Sequence, residues 1–255
     1  MPTTMVEVPT PDGTADAFAA FPDGGGPHPG VLFYMDAIGL RPVLYEMAEK
    51  LAGHGYYVLL PNVFYRHGPA PVVEVGDLST AAGREAFFGR LAPLFAELTV
   101  ERAVRDAAAY LDFLAARPEV RPGPVGVTGY CLGGVLAVRT AAVRPEQVAA
   151  VASFHPGPLV TDEPDSPHKL APRLTAELYF GLAEHDDHMP PESISRLNKA
   201  MDAAGVRRTS EVYPDTVHGF TMSDTAAFDA AGLERHWDGL LGLFSRALPP
   251  TSDGG

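Results

Sequence analysis

What most constrains this chain is an alternation, starting at Gly30, of short apolar segments with longer segments of helical periodicity. Strands are expected over residues 30–34, 56–60, 125–130, 148–154, 178–181 and 210–213. Helices are expected over 42–54, 100–117, 132–143, 192–204 and 233–248. The first carries Leu44, Met47, Ala48 and Leu51 on one stripe, and the second Val104, Ala108, Leu111 and Leu114. Gly55 stops the first helix, and Pro118 and Pro122 break the chain after the second. Such alternation demands a mostly parallel central sheet with helices on both faces. Ahead of it, Val6 and Val8 alternate with polar neighbours, Pro11-Asp12-Gly13 makes a turn and 15–21 is extended, so an N-terminal β-hairpin is expected. Every Gly/Pro stretch falls inside the βα rhythm. One domain over 1–250 is therefore expected, with a disordered tail over 251–255.

Charge and cysteine content narrow the partners. The net charge is −13 and no run of Lys or Arg occurs, which argues against nucleic acid or an anionic membrane as partner. The N-terminal Met1-Pro2-Thr3-Thr4 lacks the pattern of a secretory signal, and no apolar run approaches the ~18 residues of a membrane span. One cysteine permits no intramolecular disulfide. The expectation is a cytoplasmic protein whose thiol stays reduced, existing as a monomer or small homo-oligomer.

That cysteine sits in Gly129-Tyr130-Cys131-Leu132-Gly133-Gly134, between an apolar strand and an apolar helix. A nucleophile elbow needs this context, a sharp strand-to-helix turn lifting the nucleophile above the sheet edge. Glycines two before and two after let the backbone crowd together. The helix starting at Leu132 also aims its positive end at the sulfur and favours thiolate. Such a nucleophile needs an acid and then a histidine, later in the chain. The loop after the 178–181 strand supplies adjacent Asp186 and Asp187, and the loop after the 210–213 strand supplies His218. His218 would exchange the proton and a carboxylate would orient its ring. His185, Asp186, Asp187 and His188 could be read as metal ligands, but four consecutive side chains do not converge on one ion. No recurrent zinc spacing occurs either, so no metal or cofactor is expected. The stretches 62–89 and 155–173 lack periodicity and follow strand ends, where open α/β sheets bind ligands. Within them, Arg66 and His155 are candidate cleft residues. Trp237 and Phe244 read as core.

From about Gly30 to the last helix the chain resembles the dienelactone hydrolase family of α/β-hydrolases. The matching residues are Met35-Asp36-Ala37, the Gly-Tyr-Cys-Leu-Gly-Gly elbow, an acid shortly before Met189-Pro190-Pro191, and His218-Gly219-Phe220. The resemblance implies an α/β-hydrolase fold and cleavage of a small-molecule ester or lactone by a Cys131–His218–Asp186 triad, the acid lying four residues before Pro190. It implies an oxyanion hole from the N–H groups of Ala37 and Leu132. Asp36 stands where the family carries a thiol-activating glutamate, one methylene shorter. The family also holds its substrate carboxylate with arginines. Four residues after His218, this sequence has Met222 instead, leaving Arg66, Arg84 or Arg90 for that task. The departure at Met222 suggests a more neutral substrate. A function of another class, a non-catalytic binding protein with Cys131 as sensor thiol, has no need of His218 and Asp186 together.

Overall fold

The structure, a computed structural model, describes residues 1–24, 26–76 and 80–249, the side chain of Arg84 excepted. The expected tail at 251–255 lies outside the described residues. Eight strands form one sheet: β1 (Thr3–Thr10), β2 (Gly13–Ala20), β3 (Gly30–Tyr34), β4 (Tyr57–Pro61), β5 (Val125–Tyr130), β6 (Val148–Phe154), β7 (Glu177–His185) and β8 (Arg208–Val217). Their spatial order is β1-β2-β4-β3-β5-β6-β7-β8. The β1–β2 hairpin joins antiparallel to β4, and β4-β3-β5-β6-β7-β8 run parallel. This is the mostly parallel sheet that the alternation implies, and the α/β-hydrolase architecture that the family resemblance implies.

The described residues form six α-helices: α1 (Pro42–Gly53), α2 (Ala81–Glu97), α3 (Val100–Ala115), α4 (Leu132–Val143), α5 (Pro191–Ala203) and α6 (Ala230–Ala247). Pro42 opens α1 where its missing N–H costs nothing, and Gly55 at φ 96° turns the chain away after it. Thr99 caps α3 by accepting from Arg102 N at 3.3 Å, and Asp229 caps α6 by accepting from Gly232 N at 2.6 Å. α1 and α6 cover one face of the sheet, where Lys50 lies over Trp237 and Tyr56 packs on Phe244. α3 and α4 cover the other. β3 and β5 are buried along their whole length, as strands covered on both faces must be.

Two features depart from the sequence reading. The first is α2, inside a stretch where neither helix nor strand is expected; Thr80 caps it by accepting from Gly83 N at 3.0 Å, and Phe87, Leu91 and Leu94 are its buried residues. The second is Arg66, expected to face the ligand cleft. It binds Asp106 through two 2.8 Å hydrogen bonds and Asp12 at 2.8 and 3.1 Å, and its guanidinium stacks over Tyr65. Its side chain is 7% exposed and Asp106 is 3% exposed. A buried bidentate pair of this kind clamps the β1–β2 turn to α3, and removing one partner of such a pair costs about 3–5 kcal/mol. Arg66 is thus a structural clamp.

Candidate active site

The C-terminal ends of β3, β5, β6, β7 and β8 meet at one edge of the sheet, and the segment after each brings at least one residue to a common cavity. Cys131 is the residue between β5 and α4, with φ 53° and ψ −116°. For a residue with a Cβ this backbone is strained, and such strain is characteristic of an elbow that must reverse direction within one residue. The flanking glycines permit it. A Cβ on Gly129 would collide with the carbonyl of Gly133, and one on Gly133 would lie 2.5 Å from Met35 O. That second approach seats the start of α4 against the end of β3, beside Asp36 and Ala37. The strained turn is held by bonds from β6 and its loop: Cys131 N donates to Phe154 O at 3.2 Å, and Gly157 N donates to Cys131 O at 2.9 Å. Tyr130 is fully buried and pairs with His236 Nε2 of α6 at 2.7 Å.

The register of β7 and β8 positions the other two groups. His185 pairs with Val217 across a bulge, so the next residues, Asp186 and His218, leave the sheet side by side. Asp186 Oδ2 accepts from His218 Nδ1 at 2.7 Å, and Asp186 Oδ1 accepts from His188 N at 2.9 Å. The Asp186 side chain is 1% exposed, whereas Asp187 is exposed. Burial pushes the Asp186 carboxyl up, but the His218 ring and the His188 N–H outweigh it and hold it below the usual carboxylate range. Burial likewise disfavours a charged His218. Asp186 on one side and the nearby Cys131 sulfur on the other override that penalty and push the ring up to about 10. His218 Nε2 is buried and makes no hydrogen bond of good geometry, so its relation to Cys131 is one of proximity. A protonated imidazole beside a sulfur stabilises negative charge on that sulfur.

Asp36 lines the cavity, but both its carboxylate oxygens are occupied. Arg41 Nη1 donates to Oδ1 at 2.7 Å and Nη2 to Oδ2 at 2.9 Å, while Ile38 N donates to Oδ1 at 3.0 Å. Arg41 also reaches Asp224 at 2.6 and 3.2 Å. In this state Asp36 is an anchor for the 36–41 loop rather than an unpaired base waiting for the thiol proton. Among the described residues, neither Ala37 N nor Leu132 N donates to another group. The expected oxyanion-hole donors are therefore both unspent.

The cavity over the thiol has a volume of about 230 Å3. Beyond Asp36, Cys131, His155 and His218, its walls include Ile38, Phe87, Phe88 and Leu91, with Met222 and Ala227 from the loop after His218. His155 and Met222 thus lie where the sequence reading expects them. Arg84 belongs to α2, and its side chain lies outside the described residues. Arg90 is exposed and reaches the carbonyl of Val75 at 3.5 Å. Sequence reasoning did not find Phe87, Leu91 or the Arg41–Asp224 pair. A stripe at 87, 91 and 94 was the only signal for the first two, and no local signal exists for the pair. Ligating atoms of Asp186, His188 and His218 lie within 4.8 Å of one another, but the Asp186–His218 hydrogen bond already occupies one atom of each. No helix among the described residues is long and apolar enough to cross a membrane.

Comparison with known proteins bears on the family and the fold. A protein of Methylorubrum extorquens named "Putative carboxymethylenebutenolidase" is 27% identical over 243 residues, covering 94% of this chain and 79% of its own. A carboxymethylenebutenolidase of Rhodococcus opacus is 27% identical over 226 residues, covering 86% of this chain and 81% of its own. Among solved structures, one titled as a putative dienelactone hydrolase from Klebsiella pneumoniae superposes with a TM-score of 0.83 at 20% identity, covering 96% of this chain and 98% of that one. The dienelactone hydrolase family model matches residues 15–248, nearly the whole described sheet and every residue of the cavity, and the chain belongs to the dienelactone hydrolase family.

Proposed function

We propose that this member of the family cleaves a carboxylic ester or lactone through an acyl-cysteine intermediate. The observation that carries the reading is the Asp186–His218 hydrogen bond of 2.7 Å, with the second ring nitrogen left free beside an elbow cysteine. The Cys131 sulfur adds to the substrate carbonyl carbon, and the carbonyl π pair moves onto oxygen. That oxyanion is met by the N–H groups of Ala37 and Leu132. On collapse, the carbon–oxygen bond to the leaving alkoxide breaks while His218 Nε2–H protonates the alkoxide. Water then attacks the thioester, His218 Nε2 takes its proton, and sulfur leaves as the carboxylic acid is released. Asp186 stays ionised and keeps Nδ1–H pointed away from the sulfur. The reaction needs no cofactor, and a single reduced thiol suits a cytoplasmic setting. Rapid quenching of a p-nitrophenyl ester reaction, followed by peptide mass spectrometry, should show one acyl group on the Cys131 peptide. An adduct elsewhere, or none during a product burst, would contradict the reading.

The substrate is proposed to be a more neutral ester or lactone. Met222 is buried in the cavity wall, the described lining around it is largely apolar, and Arg41 and Arg66 are both committed to carboxylates. A bidentate Arg–carboxylate contact contributes on the order of 1.5–3 kcal/mol. Introducing one by Met222→Arg should therefore raise kcat/KM for a carboxylated lactone, relative to its methyl ester, about tenfold or more. Wild-type enzyme should favour the methyl ester. A strong wild-type preference for the carboxylate, lost in Arg84→Ala, would overturn this.

A further inference from the structure

A histidine outside the triad joins the two halves of the site. His155 follows the last residue of β6 and is completely buried. Its φ of 31° lies in the left-handed region, a costly conformation for a residue with a side chain. The backbone holds it there through His155 N, which donates to Gly181 O of β7 at 2.7 Å. The residues on either side grip the nucleophile, since Phe154 O accepts from Cys131 N and Gly157 N donates to Cys131 O. The side chain reaches the opposite way. Its Nε2 pairs with Thr221 Oγ1 at 2.7 Å, and Thr221 is itself fully buried, three residues beyond His218. Its ring meets the His218 ring edge-to-face, with centroids 5.3 Å apart at 71°, and meets Phe220 at 5.2 Å and 74°.

We propose that His155 is a positioning residue that fixes the tilt of the His218 imidazole and ties the loop carrying it to the strand end that grips Cys131. This rests on reading Cys131, His218 and Asp186 as the triad. The Asp186 bond sets the direction of Nδ1–H but leaves the ring free to rock about that bond, and a packed ring edge removes that freedom. The other ring against His218 is that of exposed His188, at 4.8 Å, whereas His155 is enclosed and cannot rearrange cheaply. The titratable groups around His155 are Tyr130 of β5, His218 and His236 of α6. Burial, together with His218 and His236, holds the His155 ring well below the usual imidazole range. A neutral ring packs beside a protonated His218 without charge repulsion.

The test uses Thr221→Val, Thr221→Ser and His155→Phe, read by kcat and KM on a p-nitrophenyl ester and by the pH dependence of Cys131 alkylation with iodoacetamide. Loss of the Thr221 hydroxyl should lower kcat about tenfold, with KM changed less than about threefold, because positioning acts on the transition state. The alkylation profile should shift along the pH axis, and Thr221→Ser, which keeps the hydroxyl, should restore both. His155→Phe keeps a ring but loses the bond, and should resemble Thr221→Val. Thr221→Val is near-isosteric, so the test survives if His155→Phe fails to fold. Unchanged kcat and alkylation in Thr221→Val, even with a lowered melting temperature, would overturn the proposal. So would a raised KM at constant kcat. If Cys131→Ala abolishes turnover while Thr221→Val behaves as wild type, only this inference fails. If Cys131→Ala stays active, the triad reading itself fails.

Discussion

Cys131→Ala is expected to fold normally and to lose about 10³-fold or more in kcat/KM on a p-nitrophenyl ester. Folding should survive because the substitution removes one atom, Sγ, and leaves the Cβ. The strained backbone at φ 53° is no worse for alanine than for cysteine. The bonds that hold the turn, from Cys131 N to Phe154 O and from Gly157 N to Cys131 O, are main-chain bonds and remain. Activity should collapse because His218 would then have only water to activate, and water is neither covalently positioned at the elbow nor as nucleophilic as a thiolate. Residual turnover would come from the Ala37 and Leu132 N–H groups and from binding alone. As the chain has one cysteine, iodoacetamide should modify wild type at a single position and inactivate it, and should not modify the variant. Near-wild-type esterase activity in the alanine variant would reject a cysteine mechanism. It would leave the thiol as a sensor or a bystander, with the esterase activity carried by another group.

How far the sequence foretold this site depends on the range of the interactions involved. β5, α4 and β6 fall where the sequence reading puts them, because an apolar strand, a glycine-flanked cysteine and an apolar helix are local signals. β7 and β8 run on to His185 and Val217, well past the expected ends at 181 and 213. β7 continues through buried Leu182 and Ala183 to exposed Glu184 and His185, and β8 passes Pro214 and exposed Asp215 before an exposed Val217, so at the rim burial no longer follows hydrophobicity. That extension matters to chemistry, since the His185–Val217 pairing is what sets Asp186 beside His218. α2 escaped because Gly83, Gly89 and Pro93 interrupt it, and the exposed Phe88 and Phe95 blur its apolar stripe. Ion pairs are the least legible. Arg66 finds Asp12 and Asp106, 54 and 40 residues away, and Arg41 finds Asp224, 183 residues away. A guanidinium next to a strand end looks the same in sequence whether it waits for a substrate or is already clamped. The same holds for Asp36, whose carboxylate is matched by Arg41 five residues on.

Asp186→Asn should reduce kcat/KM by about 10²–10⁴, whereas Asp187→Asn should stay within about twofold of wild type. The two carboxylates are adjacent in sequence but differ in every physical respect. Asp186 is buried against the ring of His218 and takes a backbone N–H from His188, while Asp187 is exposed. The amide substitution is severe for a specific geometric reason. Oδ1 of Asp186 accepts from His188 N at 2.9 Å, so an asparagine in the same place must keep its carbonyl oxygen there. Its NH2 group is then turned toward His218 Nδ1, where it can only donate. Nδ1 must become the bare nitrogen, and the neutral ring carries its proton on Nε2, the atom that has to accept from the thiol and from water. Loss of the negative charge also removes one of the two influences that push His218 up to about 10, so its titration should fall back toward the ordinary imidazole range. A protonated His218 beside the sulfur, which favours negative charge there, would then be lost within the neutral region instead of persisting into alkaline solution. Iodoacetamide alkylation followed across pH reads this directly: the profile of Asp186→Asn should move, and that of Asp187→Asn should overlay wild type. Equal losses in the two variants, or a larger one at Asp187, would reassign the orienting acid and require the loop to rearrange when substrate binds.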